Sequence, residues 1–262
     1  MQDANTSSPV QSAVYSLDWA HRVAGEPCPG IHPLVSELLS AAKRLLAHHS
    51  KKKDPISADL LKRLVEDQAS ASASLMNIRT VTAALLAFAA FLRFDELIGL
   101  RISDISFKDD HIIIFIGSSK TDQFRDGAWI PIASSGAATC PVAMLNRYFV
   151  LCGFSKSTID SGFLFRGLIK TRSGYKVRSP SNKISYSRMR ELIVGAFSPY
   201  LEDSTCIGTH SLRSGGTSAA ARAGISDRLF KRHGRWRSEN AKDGYVQDSL
   251  VDRLSVSRSL GI

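Results

Sequence analysis

Four short stretches of the chain hold side chains whose types and spacing can do chemistry. In Phe91-Leu92-Arg93-Phe94-Asp95-Glu96-Leu97, an arginine closes an apolar run and a carboxylate follows three residues on. On a helix this spacing puts Glu96 beside Arg93. A buried arginine needs such a partner or an anionic ligand, so the pair reads either as a structural ion pair or as part of an anion site. Lys120 lies in the turn after the apolar strand His111 to Ile116. A lysine on a hairpin tip reaches over a ligand as a mobile cation and proton donor. Charged tips also serve solubility alone, and Arg125 is a second basic residue in the same turn. In Gly208-Thr209-His210-Ser211-Leu212-Arg213, the histidine and arginine share a face at a helix start. A helix N-terminus favours phosphate, arginine binds it bidentately, and histidine moves a proton near neutral pH. The same pair also fits a core histidine with a surface arginine. The fourth stretch is Lys231-Arg232-His233-Gly234-Arg235-Trp236, with Tyr245 nine residues after Trp236. A tyrosine on a short polar segment beside a basic cluster that stabilises phenolate is a candidate nucleophile. It is also one of six tyrosines, any of which can be an ordinary packed ring.

The elements that must position these groups are mostly helical. Residues 1–12 read as a disordered lead-in, followed by a short helix over 14–21 and a breaker cluster, Gly25 to Gly30. Leu34, Leu38, Leu45 and Leu46 predict a helix over 33–48, and the lysine-rich run 50–55 a linker. Ser57 is a candidate N-cap for a helix to Asp67, and an Ala/Leu-rich helix is expected over 74–92. The period then changes. Residues 102–107, 111–116 and 129–132 read as three strands, joined by an Asp109-Asp110 turn and a longer polar turn over 118–127. Helices are expected again over 141–152 and 187–197, with a basic Ser/Gly-rich loop over 166–183 between them. A last helical group runs from His210, with Ser226 as a start and Gly224 and Gly234 as stops. The fold class is therefore mixed α/β (α+β), mainly helical, with one small antiparallel three-stranded sheet. Residues 1–53 form a leading segment and linker, and 54–262 the main domain.

Bulk properties narrow the partners. The chain has 262 residues, 44% of them hydrophobic, so a sizeable core is affordable to it. A net charge of +10 favours a polyanion, most often nucleic acid, although a merely soluble basic protein shares that balance. Cys28, Cys140, Cys152 and Cys206 are far apart with no CxxC pair, which points to neither a zinc site nor a disulfide framework and fits a reducing, intracellular setting. No run reads as a membrane span; 81–91 is apolar but stops at Arg93, Asp95 and Glu96.

Taken in order, an arginine, a hairpin lysine, HxxR, a tryptophan and a tyrosine nine later form a joint pattern. The runs LRFDELIGLRISDI, IIIFIGSSKTD, THSLRSGG and GRWRSENAKDGY resemble the tyrosine recombinase and integrase family over about Ile56 to Tyr245. The last two are similar in tone to the DIRS-like or Crypton-like recombinases of eukaryotic mobile elements.

The resemblance implies a tyrosine-recombinase-like catalytic domain that breaks and rejoins DNA through a 3′-phosphotyrosyl link on Tyr245. It implies that Arg93 and Arg213 hold the non-bridging oxygens, that Lys120 protonates the leaving 5′-hydroxyl, and that His210 is a general base or phosphate donor. Trp236 takes a place filled by His or Trp, where an indole N–H donates to phosphate; His233 is its rival. Glu96 matches a supporting acid. No cofactor or metal is expected: two guanidiniums and ring N–H donors suit the charge of a phosphorane-like state, and there is no carboxylate cluster or GxxxxGK[ST] loop. The implied partners are double-stranded DNA and further copies of the chain, as a tetramer on DNA, with no membrane and with a nuclear setting in a eukaryotic host. Residues 1–53 then correspond to part of a helical core-binding segment that clamps DNA. A type IB topoisomerase shares this chemistry, and a DNA-binding module that has lost catalysis shares this fold. The family often has Leu-Gly-His where this chain has Gly234-Arg235-Trp236.

Overall fold

The computed structural model describes residues 6–47, 52–119, 126–156, 161–248 and 250–259. The chain divides into two units, Met1–Lys52 and Lys53–Ile262.

The first unit is a helical hairpin. Helix α1, Ser8–Ala24, starts on a Ser-Pro pair and stops at Gly25, whose left-handed backbone (φ +76°) turns its N–H back onto the Arg22 carbonyl. The sequence places a shorter helix here. The apolar positions Val10, Val14 and Leu17 continue the helical period upstream into residues expected to be irregular. Asp18 accepts the Gly30 amide at 2.6 Å and so fixes the connection to α2, Pro33–Leu45. Among the described residues of this unit only Ala42 is buried, and Trp19 is 67% exposed.

In the second unit, helix α3, Ala58–Gln68, is capped as expected by Ser57, whose Oγ accepts the Leu60 amide. Helix α4, Leu75–Ala89, is the centre of the core. It is apolar nearly all round because other helices surround it, and its residues from Ile78 to Ala87 are all buried. The expected helix to Leu92 ends early. Phe91 takes φ +47°, and Leu92 N–H donates to the Ala87 carbonyl, a glycine-type helix stop made by a phenylalanine. Arg93 consequently does not end that helix. It is the N-cap of a new one, α5, Phe94–Gly99, and its amide is accepted by Glu96.

The three expected strands form one antiparallel sheet in the order β1 (Ile105–Phe107), β2 (His111–Ile116) and β3 (Ala128–Ala133). The start of the first expected strand, Ile102–Asp104, is a 3-10 turn instead. Ile112, Ile114 and Ile116 alternate inward along β2, and Ile114 pairs with Ile105 on one side and Ile130 on the other. Helix α6, Pro141–Cys152, covers this sheet and α4.

The loop expected over 166–183 holds a second antiparallel pair, β4 (Leu168–Thr171) and β5 (Gly174–Val177), so the described residues form two sheets where one was expected. Helix α7, Tyr186–Phe197, follows, then α8, Ser211–Arg222. Helix α8 lies directly on backbone. A Cβ on Gly215 would stand 1.9 Å from the Ile56 carbonyl oxygen, and one on Gly216 2.1 Å from that of Phe88. The chain ends in α9 (Asp227–Gly234), α10 (Glu239–Asp243) and α11 (Leu250–Arg258). Among the described residues no helix is long and apolar enough to cross a membrane.

Candidate active site

The stop at Phe91 sets the position of the first arginine. With α4 ended and α5 begun, the capping box draws Glu96 back to Arg93: one carboxylate oxygen accepts the Arg93 amide at 2.8 Å and the other its guanidinium at 2.8 Å. Glu96 is almost wholly buried, and the oxygen that accepts the Arg93 amide, Oε2, also takes Arg235 at 2.7 Å and lies 4.0 Å from Arg213. Burial pushes this carboxyl up. The charge of Arg235 and the Arg93 hydrogen bonds outweigh that, and hold it below its ordinary value.

Arg213 stands in the first turn of α8 with no solvent exposure at all. It donates to the carbonyls of Phe91 and, at 2.9 Å, of Gly234. Its guanidinium lies 4.7 Å from the ring centre of Tyr245 and 4.8 Å from that of Trp236. Burial, then the charges of Arg235 and Arg93, push it down to about 10, against the pull of Glu96. It remains a cation at neutral pH. Its Nε has no partner among the described residues.

Three elements place Tyr245. Helix α10 is too short to be stable alone and is pinned by charge. Lys231 pairs with Glu239, and Lys242 with Asp227 and, at 2.6 Å, with Glu239. The basic cluster seen in the sequence is thus partly spent on this helix. The Tyr245 carbonyl then accepts two hydroxyls of α8, Ser214 at 2.8 Å and Thr217 at 3.0 Å. The Tyr245 ring is 5.9 Å from that of His210 and 5.8 Å from that of Trp236. Arg93, Glu96, His210 and Tyr245 line one cleft of about 880 Å³, walled by Phe115 to Ser119 of β2 and the turn after it. His210, the N-cap of α8, is exposed there. Lys120 and Arg125 lie outside the described residues.

Trp236 is buried and packs against Phe91 and Phe230, and its indole N–H has no partner among the described residues. Gly234 makes room for it, since a Cβ there would stand 1.7 Å from the indole ring. His233, its rival, points elsewhere: its Nε2 meets the Ala89 carbonyl at 2.8 Å and its ring stands edge-on to Phe91. Burial lowers its pKa, against the pull of the Ala89 bond.

Arg235 was not singled out in the sequence. It is 7% exposed at the side chain, takes φ +60°, and donates to Glu96 and to the carbonyls of Ala90, Phe91 and His233. Nothing in a Gly-Arg-Trp run signals a left-handed arginine. The one legible hint is a third arginine beside two others already paired to a single carboxylate. Among the described residues no group of three or more His, Cys, Asp or Glu could hold a metal ion.

No family model matches the chain. It is 24% identical over 252 residues to an integrase/recombinase XerD homolog of Selenomonas ruminantium, covering 95% of this chain and 70% of that protein. Its fold is similar to that of the Tn1549 transposon integrase in complex with transposon right end DNA. The TM-score is 0.61 at 15% identity, over 97% of this chain and 80% of that one. It is also similar to the XerH site-specific recombinase bound to difH substrate, with TM-score 0.57 at 13% identity, over 82% of this chain. The chain spans 55% of the length of that recombinase. The chain is thus similar along nearly all of its own length to a curated integrase/recombinase and has the fold of a tyrosine recombinase catalytic domain, with Arg93, His210 and Tyr245 around one cleft and Arg213 against the Tyr245 ring.

Proposed function

We propose that the chain is a site-specific DNA recombinase that cleaves and rejoins duplex DNA through Tyr245, in the integration or excision of a mobile element. The observation that carries this is the stacking of a fully buried guanidinium, Arg213, under the ring of a tyrosine that shares a cleft with Arg93 and His210. The Tyr245 oxygen attacks the scissile phosphorus, the phosphorus–oxygen bond to the 5′ carbon breaks, and a 3′-phosphotyrosyl ester remains. Arg93 and Arg213 carry the charge of the non-bridging oxygens, preorganised by Glu96 and by backbone carbonyls. His210 takes the tyrosine proton or donates to phosphate. Trp236 supplies an indole N–H that nothing described in the fold consumes. Lys120 delivers a proton to the departing 5′-oxygen. The ester conserves the energy of the broken bond, so rejoining needs no nucleotide.

Residues 1–53 act as part of a helical DNA clamp. Two helices that bury only Ala42 and expose Tyr15, Trp19 and Val23 have faces made for a further surface. The active assembly is a tetramer on DNA, because recombination joins two duplex sites. Two features supply its contacts: an apolar groove of about 870 Å³ between Phe88, Phe91, Ile225 and Leu229, and the exposed Leu250, Val251 and Leu254 of α11. Helix α11 of one copy seats in the groove of the next.

The test is a nicked suicide duplex carrying the terminal repeat, resolved on a denaturing gel. A protein–DNA adduct that disappears in Tyr245→Phe is expected. Binding of the duplex without any adduct would sink the recombinase reading. Relaxation of any supercoiled plasmid without sequence preference would point to a topoisomerase.

A further inference from the structure

A second cleft, of about 650 Å³, opens between the β4–β5 hairpin and the start of α7. Its floor is Arg79 of α4, only 3% exposed. Arg79 donates one nitrogen to the Arg166 carbonyl at 2.8 Å, while its buried Nε has no partner. No carboxylate pairs with it among the described residues. A buried guanidinium without a counter-charge is costly, and folds retain one where a ligand supplies the missing anion. Burial pushes Arg79 below its ordinary range; Tyr148 opposes this and the charge of Arg188 adds to it.

The rim of the cleft repeats the same sign. Arg178, Lys183 and Arg188 line it together with Ser181 and Asn182, and no acidic side chain does. Arg188 has an exposed pair with Glu191 at 3.1 Å, which costs little to exchange for another anion. Ser185, the N-cap of α7, also lines it, so the positive end of a twelve-residue helix faces the same space. The next residue, Tyr186, lines the Tyr245 cleft and packs on Phe94. The start of α7 therefore divides the two clefts, with consecutive residues facing each.

We propose that this cleft is a second phosphate site, which holds a backbone phosphate of the same duplex whose scissile phosphate enters the Tyr245 cleft. This rests on the DNA reading above. Phosphate contacts of this kind set register and orientation and carry no base specificity. The unpaired Arg79 is neutralised when DNA arrives, and α7 acts as the fixed divider between two positions along the strand.

The test uses the full chain and the exposed rim, so that folding is not at stake. Duplex binding is followed by fluorescence anisotropy over a salt series for wild type and for Arg178→Gln/Lys183→Gln/Arg188→Gln. The triple variant is expected to bind about tenfold more weakly, with a log–log salt slope smaller by roughly 1 or more. Arg63→Gln/Lys108→Gln/Lys156→Gln removes the same charge elsewhere and is expected to keep most of the affinity; an equal loss there would reduce the effect to net charge and overturn the site. An unchanged slope in the rim variant overturns it as well. In a second arm, inorganic phosphate is expected to raise the melting temperature of wild type and not of the rim variant. Phosphate protection with an unchanged DNA slope would overturn the assignment to DNA. If wild type binds no duplex at all, the recombinase reading fails, and the phosphate arm judges the cleft by itself.

Discussion

Arg235 combines two unfavourable features. A left-handed backbone at a non-glycine residue costs roughly 1–2 kcal/mol, and its guanidinium is buried. What offsets them is Glu96, which without Arg235 would keep the Arg93 pair and the longer 4.0 Å contact to Arg213 for a carboxylate almost wholly out of water. Arg235→Gly relieves the backbone and removes the pair. We expect a net destabilisation of about 2–4 kcal/mol in urea unfolding, because a buried carboxylate that loses one of its two close guanidinium partners outweighs one relaxed dihedral. Glu96 also gives the protein an acid-sensitive point. Its folded pKa lies below its ordinary value of 4.5, so its stabilisation is complete above that pH and fades as pH falls towards the folded value. Glu96→Gln should be less stable at neutral pH and flatten the acid limb of the stability curve; an unchanged limb would show that the carboxylate carries no such share. At this scale much was legible. The spacing of Arg93 and Glu96, and of His210 and Arg213, encodes their proximity through helix geometry. Arg235 was not legible, because its role depends on a positive φ and on three chain segments meeting.

Elements were readable where one period ruled them. β2 and α6 fall where alternation and the Pro141 start put them, since each buries a regular face. β4 and β5 were missed because no residue of either is buried, and a basic, glycine-containing hairpin shows no apolar alternation. The break between α4 and α5 was missed because Phe91 gives no sign of a glycine conformation. The Gly215-Gly216 pair had no assigned purpose in the sequence, and the packing supplies one: α8 touches the backbone at Ile56 and Phe88. Gly216→Ala is expected to lower stability by about 1–3 kcal/mol through overpacking. Its effect on adduct formation should exceed that of its stability loss alone, because α8 carries Arg213 and holds Tyr245. Thermal melts and single-turnover cleavage read the two separately.

At the scale of the whole molecule, each unit holds its own contacts, and the core belongs to residues 53–262. The fragment 53–262 should therefore melt cooperatively by circular dichroism near the temperature of the full chain. A broad, non-cooperative melt would show that the first unit is needed for the fold. Assembly draws on different residues. Leu250→Ser/Leu254→Ser should leave the single-chain complex with DNA intact and reduce higher complexes on native gels, since both side chains lie exposed on α11.

The two hydroxyls that hold the Tyr245 carbonyl have a mechanical consequence. Ser214 and Thr217 fasten the main chain of the nucleophile to the helix that bears Arg213. Once the DNA end is esterified, the bound 3′ side is moored to the helix that bears Arg213, with the tyrosine side-chain torsions as its swivel. The 5′ end has no such mooring. In the proposed reaction the free 5′ strand is thus the traveller and the tyrosyl end the dock, so partner choice is made by whichever 5′ end reaches a berth fastened to α8.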